Sequence, residues 1–270
     1  LTVPADLLMV GQAFGRVMGK MGQLRSFTMR DDAKRSRTWM RYTLTGAAFG
    51  LLMIGAAAQA AISAKFSAPT PGTTLGFDIF RGESDIGRHV VTFAQDGDAL
   101  IVKTEIDMKV KIAFITAFRY QHRATEVWRD GRLVSLQSTT YDDGTNYFVK
   151  ATARPDGLWV EGSLGSYLAA ADTIPSSYWN PAILDRTKVL NTQKGDLLDA
   201  SISKVASEPR TVNGRPCTVE TFRLQSKLSV DIDYCAEDKA WVGLRFAARG
   251  AEISYRPGDA LQTAQAETAN

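Results

Sequence analysis

From Ile101 to Phe114 the chain alternates with a period of two. Val102, Thr104, Ile106, Met108, Val110, Ile112 and Phe114 fall on one side, and Lys103, Glu105, Asp107, Lys109 and Lys111 on the other. Successive side chains of a β-strand point to opposite faces, so this pattern sets one face on a core and the other in water. Ordinary strands run to about 5–6 residues. A strand this long in a small domain has to coil. The expected fold is mainly β (α+β in class): a strongly curved antiparallel sheet or half-barrel with one short helix packed on it.

Turn dipeptides recur where such alternating runs stop, at Asp96-Gly97, Asp130-Gly131, Asp143-Gly144, Asp156-Gly157 and Asn213-Gly214. These pairs favour tight hairpins, and the strands between them read as a meander. Besides the long strand, strands are predicted over 75–80, 87–95, 117–128, 133–141, 147–153, 158–161, 198–205, 218–224, 228–234, 242–248 and 252–255, within one β-rich domain over 75–256.

The amino-terminal quarter is of another kind. No charged residue occurs from Tyr42 to Ala64, the stretch follows Lys34, Arg35, Arg37 and Arg41, and it ends in Ala58-Gln59-Ala60. A charged start, an apolar core and a small-residue tail make a secretory signal peptide over 29–60, cleaved after Ala60. The alternative is an uncleaved inner-membrane anchor over 42–64, since about 20 apolar residues span a bilayer. Residues 1–28 begin with Leu1 and read as an over-extended start, 61–74 as a linker and 257–270 as a disordered tail. The expected location is the periplasm, with transient contact with the export machinery and signal peptidase.

Cleavage there would also change the charge. Residues 1–60 hold eight of the 32 Lys and Arg and three of the 29 Asp and Glu, so the mature chain carries a net charge of −2 instead of +3. No basic footprint for nucleic acid remains.

The two cysteines, Cys217 and Cys235, both follow the leader, where an exported chain meets oxidising conditions. If Leu224 faces Leu228 across a three-residue turn, Phe222 faces Val230 and Cys217 faces Cys235. A cross-strand disulfide is expected; a one-residue change in the turn would leave two free thiols instead.

Ser176-Ser177-Tyr178-Trp179-Asn180-Pro181 interrupts the run of strands. Asn180 suits an N-cap and Pro181 a first helical position, so a short helix is predicted from Pro181 to about Val189. Three segments, 77–93, 124–145 and 177–199, together resemble a family of exported bacterial proteins described as a domain of unknown function, number 6134. The Tyr-Trp-Asn-Pro segment is the most specific part of the likeness. The resemblance implies a periplasmic setting and a sheet like those of Lol-type lipoprotein carriers. It carries over no catalytic residue.

The residue types needed for common chemistries are sparse. His89 and His122 are the only histidines, and no HExxH or CxxC motif gives them the company a zinc site needs. No GxSxG elbow and no glycine-rich phosphate loop occurs. Ser176 and Ser177 lack an identifiable base, and Asp231 and Asp233, sharing a strand face with Ser229, read as a solvated face. No catalytic residue, metal or cofactor is assigned. The expectation is a non-enzymatic binding module for a hydrophobic or lipid-like ligand. Ile106, Val110 and Phe114 would line its cavity, with Tyr178, Trp179 and Asn180 at the rim. The alternatives are a structural or protein-interaction module of the cell envelope and an enzyme of unrecognised type.

Overall fold

A computed structural model of the protein describes residues 68–258 apart from 113, 114 and 249. The leader, most of the linker, residues 259–270 of the tail and Phe114 lie outside the described residues, while Pro257 and Gly258, assigned to the disordered tail, are ordered at the end of the last strand. The chain first forms eight strands in sequence: β1 Thr74–Arg81, β2 Ser84–Asp96, β3 Ala99–Ile112, β4 Ile115–Arg129, β5 Arg132–Asp142, β6 Thr145–Arg154, β7 Gly157–Gly162 and β8 Gly165–Ala169. A connection over 170–200 carries the short strands β9 Ile174–Pro175, β10 Lys188–Leu190 and β11 Leu197–Asp199. Then come β12 Ser201–Val212, β13 Arg215–Gln225, β14 Ser229–Cys235, β15 Trp241–Ala248 and β16 Ala251–Pro257.

Thirteen of these strands make one antiparallel sheet in the order β12-β13-β14-β15-β16-β1-β2-β3-β4-β5-β6-β7-β8, and β11-β10-β9 form a second, small one. The first and last strands of the domain therefore pair, Phe77 opposite Pro257. The turn dipeptides fall at strand ends, and at β2–β3 the loop is Gly97-Asp98, Asp96 closing the strand. Asp130-Gly131, Asp143-Gly144 and Asn213-Gly214 each close a two-residue hairpin with positive φ at both positions, the turn whose twist matches that of the strands. At β6–β7 the loop residues are Pro155 and Asp156, and Gly157 opens the next strand.

The sheet is curled, and two adjacent residues of the connection demonstrate it. The Tyr234 hydroxyl on β14 donates to the Tyr178 carbonyl at 2.6 Å, while the next residue, Trp179, donates its indole N–H to Glu126 on β4 at 3.1 Å. β14 and β4 are six places apart in the sheet, about 29 Å if it were flat. Neighbouring Cα atoms are only about 3.8 Å apart. The sheet must bend round the connection, which then acts as a plug: every residue from Thr173 to Pro181 and from Val189 to Gly195 is buried. Val102 and Ile106, on the face expected to line a cavity, pack with Ile174, Tyr178, Trp179, Ile183 and Val189 in one core.

Four sequence expectations need correction. The helix predicted from Pro181 to Val189 is a five-residue 3-10 turn, Pro181–Asp185. Arg186 is already extended, and Lys188–Leu190 pairs with strands on both sides, so sheet pairing overrides helical propensity. The strand predicted over 198–205 is two strands in different sheets, broken between Asp199 and Ser201. The β13–β14 hairpin places Leu224 opposite Val230 and Cys235 opposite Val219, two residues from the expected register. A slip of two keeps every side chain on its face, so Cys217 still reaches Cys235 diagonally, and the disulfide forms with Cα atoms 5.7 Å apart. Asp233 is not solvated: it is 2% exposed and meets Thr221 at 2.6 Å, Arg245 at 2.9 Å and Arg210 at 3.3 Å. Asp231 is held at both oxygens by Arg223. These partners come from the strands flanking β14 and from the edge strand, and they cover the face that was expected to meet water.

The disulfide ties β13 to the end of β14 over 18 residues of chain. Replacing both cysteines by serine is expected to lower unfolding stability by about 3 kcal/mol. Urea denaturation reads the change, and an unchanged midpoint would deny the bond a stabilising role.

Candidate functional site

The junction leading into the plug is shaped by its own backbone. Tyr178 has φ of 61°, and Trp179 N–H donates to the Ser177 carbonyl at 2.8 Å. This is a γ-turn of the rare, strained kind, and a bulky residue in this region costs of order 1–3 kcal/mol. The Tyr234 hydroxyl on its carbonyl helps to hold it. The turn sends the two neighbouring aromatic side chains different ways. Tyr178 packs toward Trp241, with ring centroids 5.9 Å apart, and Trp179 packs edge-on against Phe93 and Trp128, at 5.4 Å from each. Asn180 caps the 3-10 turn, its side-chain oxygen accepting from Ala182 N–H at 3.0 Å.

Glu126 lies beneath this junction on the inner face of β4. One carboxyl oxygen accepts two indole N–H bonds, from Trp128 at 2.8 Å and Trp179 at 3.1 Å. Its other oxygen has no hydrogen-bond partner, and Ser177 lies near without well-formed geometry. Burial pushes this carboxyl above the usual range, the two indole donors opposing the shift.

Further along the inner face, the register sets His89, Ile106, His122 and Thr140 in one row across β2 to β5. His122 Nδ1 meets the Thr140 hydroxyl at 2.8 Å. His89 sits among Phe77, Trp241 and Tyr255, with ring centroids 5.2 to 6.3 Å away. Neither of its nitrogens has a partner, nor have His122 Nε2, the Tyr120 and Tyr255 hydroxyls and Thr104 Oγ1. Burial lowers both histidines to about 3, helped at His89 by His122 and at His122 by Arg123. Among the described residues, the one convergence of three potential metal-ligand atoms is the disulfide sulfurs with Glu237, and bonded sulfurs are not the thiolates that bind metal.

Above Glu126, at the end of the sheet where the β2–β3 and β4–β5 turns meet the plug, lies a recess of about 420 Å3. Its apolar lining is Leu100, Trp128, Trp179 and Ala182; Gln95, Asp98, Asp130 and Asn180 add polar groups. The structure thus divides the residues expected at a site. Trp179 and Asn180 line the recess but are nearly buried, Tyr178 and Ile106 face the packed interior, and Val110 is half-buried beside a separate hollow with Met108 and Arg119. The recess residues Leu100 and Trp128, which pair across β3 and β4, were not anticipated as site residues, nor was Glu126. A signal for Glu126 was present: it shares strand parity with Tyr120, His122 and Trp128, a carboxylate set on the inward face.

The sequence profile of the family described as Domain of unknown function (DUF6134) matches residues 77–258. The chain belongs to this family. The matched span of the DUF6134 domain runs from β1 to just past β16 and includes every recess residue except Ala68. Among solved structures, a beta-barrel-like protein of domain of unknown function DUF1849 from Brucella abortus is similar. Its TM-score is 0.51 at 8% identity, covering 68% of this chain and 94% of that one. This is a likeness of fold. No curated protein matches the chain.

Proposed function

We propose that the DUF6134 domain is a non-enzymatic, exported binding module for a small hydrophobic or lipid-like ligand. In this reading the half-barrel is filled by its own plug, and the ligand seats at the Trp128–Trp179 recess instead of within the sheet. The observation that carries the proposal is the recess itself. Its volume of about 420 Å3 falls within the range of small-molecule sites, and its walls are mainly aromatic and aliphatic. The bonds from Glu126 to both indoles fix the floor.

The test is native mass spectrometry of the exported chain, followed by solvent extraction, for the wild type and for Ala182→Trp. Ala182 lines the recess and is only partly buried, so a large side chain there fills the space from outside. A carried mass that extracts as one lipid class from the wild type and is lost in Ala182→Trp is the expected result. A wild type that shows only its own chain mass, with nothing extractable, would sink the proposal.

A second reading, an interaction module of the envelope, is favoured by exposed apolar residues at one side of the sheet. Phe148 and Leu164 are more than half exposed, and both Ser163 Oγ and Ser163 N–H bond the Phe148 backbone, which brings the two together. The sheet edges argue less for it. β12 is long and exposed, but it carries Pro209, Lys204, Arg210 and a bulge at Lys204/Ala206, the features that discourage strand addition.

A further inference from the structure

The lining of the recess also indicates the charge of what it takes, an inference that rests on the recess being the binding site. Of its lining residues, two are carboxylates, Asp98 and Asp130, and none is basic. Four other surface hollows among the described residues each carry Lys or Arg: Lys103 with Arg123, Lys109 with Arg119, Lys227, and Arg223 with Arg245. Asp98 is partly neutralised by Arg129 at 2.9 Å. Asp130 stands in the β4–β5 turn, its φ of 49° fixed by the hairpin.

The aromatic floor points the same way. Trp128 and Trp179 stand at 86° to one another with centroids 5.4 Å apart, forming a corner. Both direct their N–H groups away to Glu126. An indole that donates to a carboxyl group gains electron density in its ring, and indole rings attract cations better than other aromatic side chains. Glu126 itself is fully buried and keeps one oxygen without a partner. The oxygen that accepts both indole bonds lies directly beneath the corner, where water screens little.

We propose that the recess binds a single-chain amphiphile bearing an ammonium head group. The head group meets the Trp128–Trp179 corner with Asp130 and Asp98 at the rim, and the chain lies on Leu100 and Ala182. The shared chemistry is an alkylated or primary ammonium, whether it comes from a lipid head group or from a free organic amine.

The experiment measures intrinsic tryptophan fluorescence of the full chain during titration with three twelve-carbon surfactants below their micelle concentrations. They are dodecyltrimethylammonium, dodecyl maltoside and dodecyl sulfate; tetramethylammonium is titrated as the head group without a chain. The expected result is binding of the ammonium surfactant about 10-fold or more tighter than the maltoside, the sulfate weakest of the three. Asp130→Asn should lower the ammonium preference about 3-fold or more while leaving maltoside binding unchanged, because asparagine tolerates the same positive φ. Saturation by tetramethylammonium alone identifies a free amine as a sufficient ligand; a response only with the chain attached identifies a lipid-like one. Equal binding of the ammonium and maltoside surfactants, or tighter binding of the sulfate, overturns the head-group inference and leaves the recess reading standing. No binding of any surfactant overturns both.

Discussion

Acidification from pH 7 to pH 4 is expected to remove about 3 kcal/mol of folding stability for each of the two buried histidines. In the folded chain His89 and His122 accept a proton only near pH 3, whereas in the unfolded chain they do so near the ordinary value of about 6.5. Between these values the unfolded state binds protons that the folded state refuses. Stability is therefore full above about pH 6.5 and falls as the pH drops toward 3. Glu126 acts in the opposite sense. Its raised value means that the folded chain holds a proton where the unfolded chain has lost it, so its contribution improves as the pH falls and offsets part of the loss. Urea midpoints at pH 7, 5.5 and 4 measure the net slope. His89→Phe should remove about half of the histidine contribution, since the ring already lies among Phe77, Trp241 and Tyr255 and neither nitrogen has a partner. A variant with the wild-type slope would show that His89 does not govern the acid response.

Glu126→Leu should be the most damaging single substitution at the site. It leaves the Trp128 and Trp179 N–H groups buried and without an acceptor, at about 1–3 kcal/mol for each, so a loss of about 2–6 kcal/mol is expected. Glu126→Gln is the informative partner. Its amide oxygen can accept both indole bonds while its NH2 turns toward Ser177, and the loss should stay below about 1.5 kcal/mol. Chemical denaturation ranks the two. If Leu is tolerated as well as Gln, the Trp179 bond does not hold the plug to the sheet. The same pair separates packing from chemistry at the recess, because Gln preserves the floor and Leu releases it.

How far these features could be read from the sequence depended on how local their causes were. The β3 alternation and the Asp-Gly and Asn-Gly turns act over a few residues, and they gave β1 to β7 and β13 to β16 almost to their ends, while β8 was not foreseen and β12 runs on to Val212. The disulfide was legible because parity alone puts Cys217 and Cys235 on one face. Its register was not, because the turn between Gln225 and Ser229 is set by backbone geometry that composition does not record. The plug was the least legible part. Asn191, Thr192 and Gln193 look like a surface loop, yet they are buried. The Ser138 hydroxyl bonds the Thr192 carbonyl at 2.5 Å, and Gln193 reaches Asp142 at 3.3 Å. Those partners lie some fifty residues upstream, where no local pattern could announce them. The recess has the same character: Leu100 and Trp128 pair across β3 and β4, but Trp179 comes from the connection some fifty residues on, and tertiary packing sets it beside them.

The pairing of β1 with β16 gives the domain a head and a foot. Gly258 N–H bonds the Gly76 carbonyl at 2.9 Å, so the chain enters and leaves the sheet side by side. Ala68, just before the first strand, is itself part of the recess wall. The start of β1 and the end of β16 therefore share one pole with the recess, while the Asp143-Gly144 turn lies at the other end of β5. A fluorophore, affinity tag or surface tether attached at Ala68 stands at the mouth of the recess and competes with whatever enters it. Attached at position 143, where Asp143 already carries a side chain at φ of 44°, the same handle points away and leaves the mouth clear.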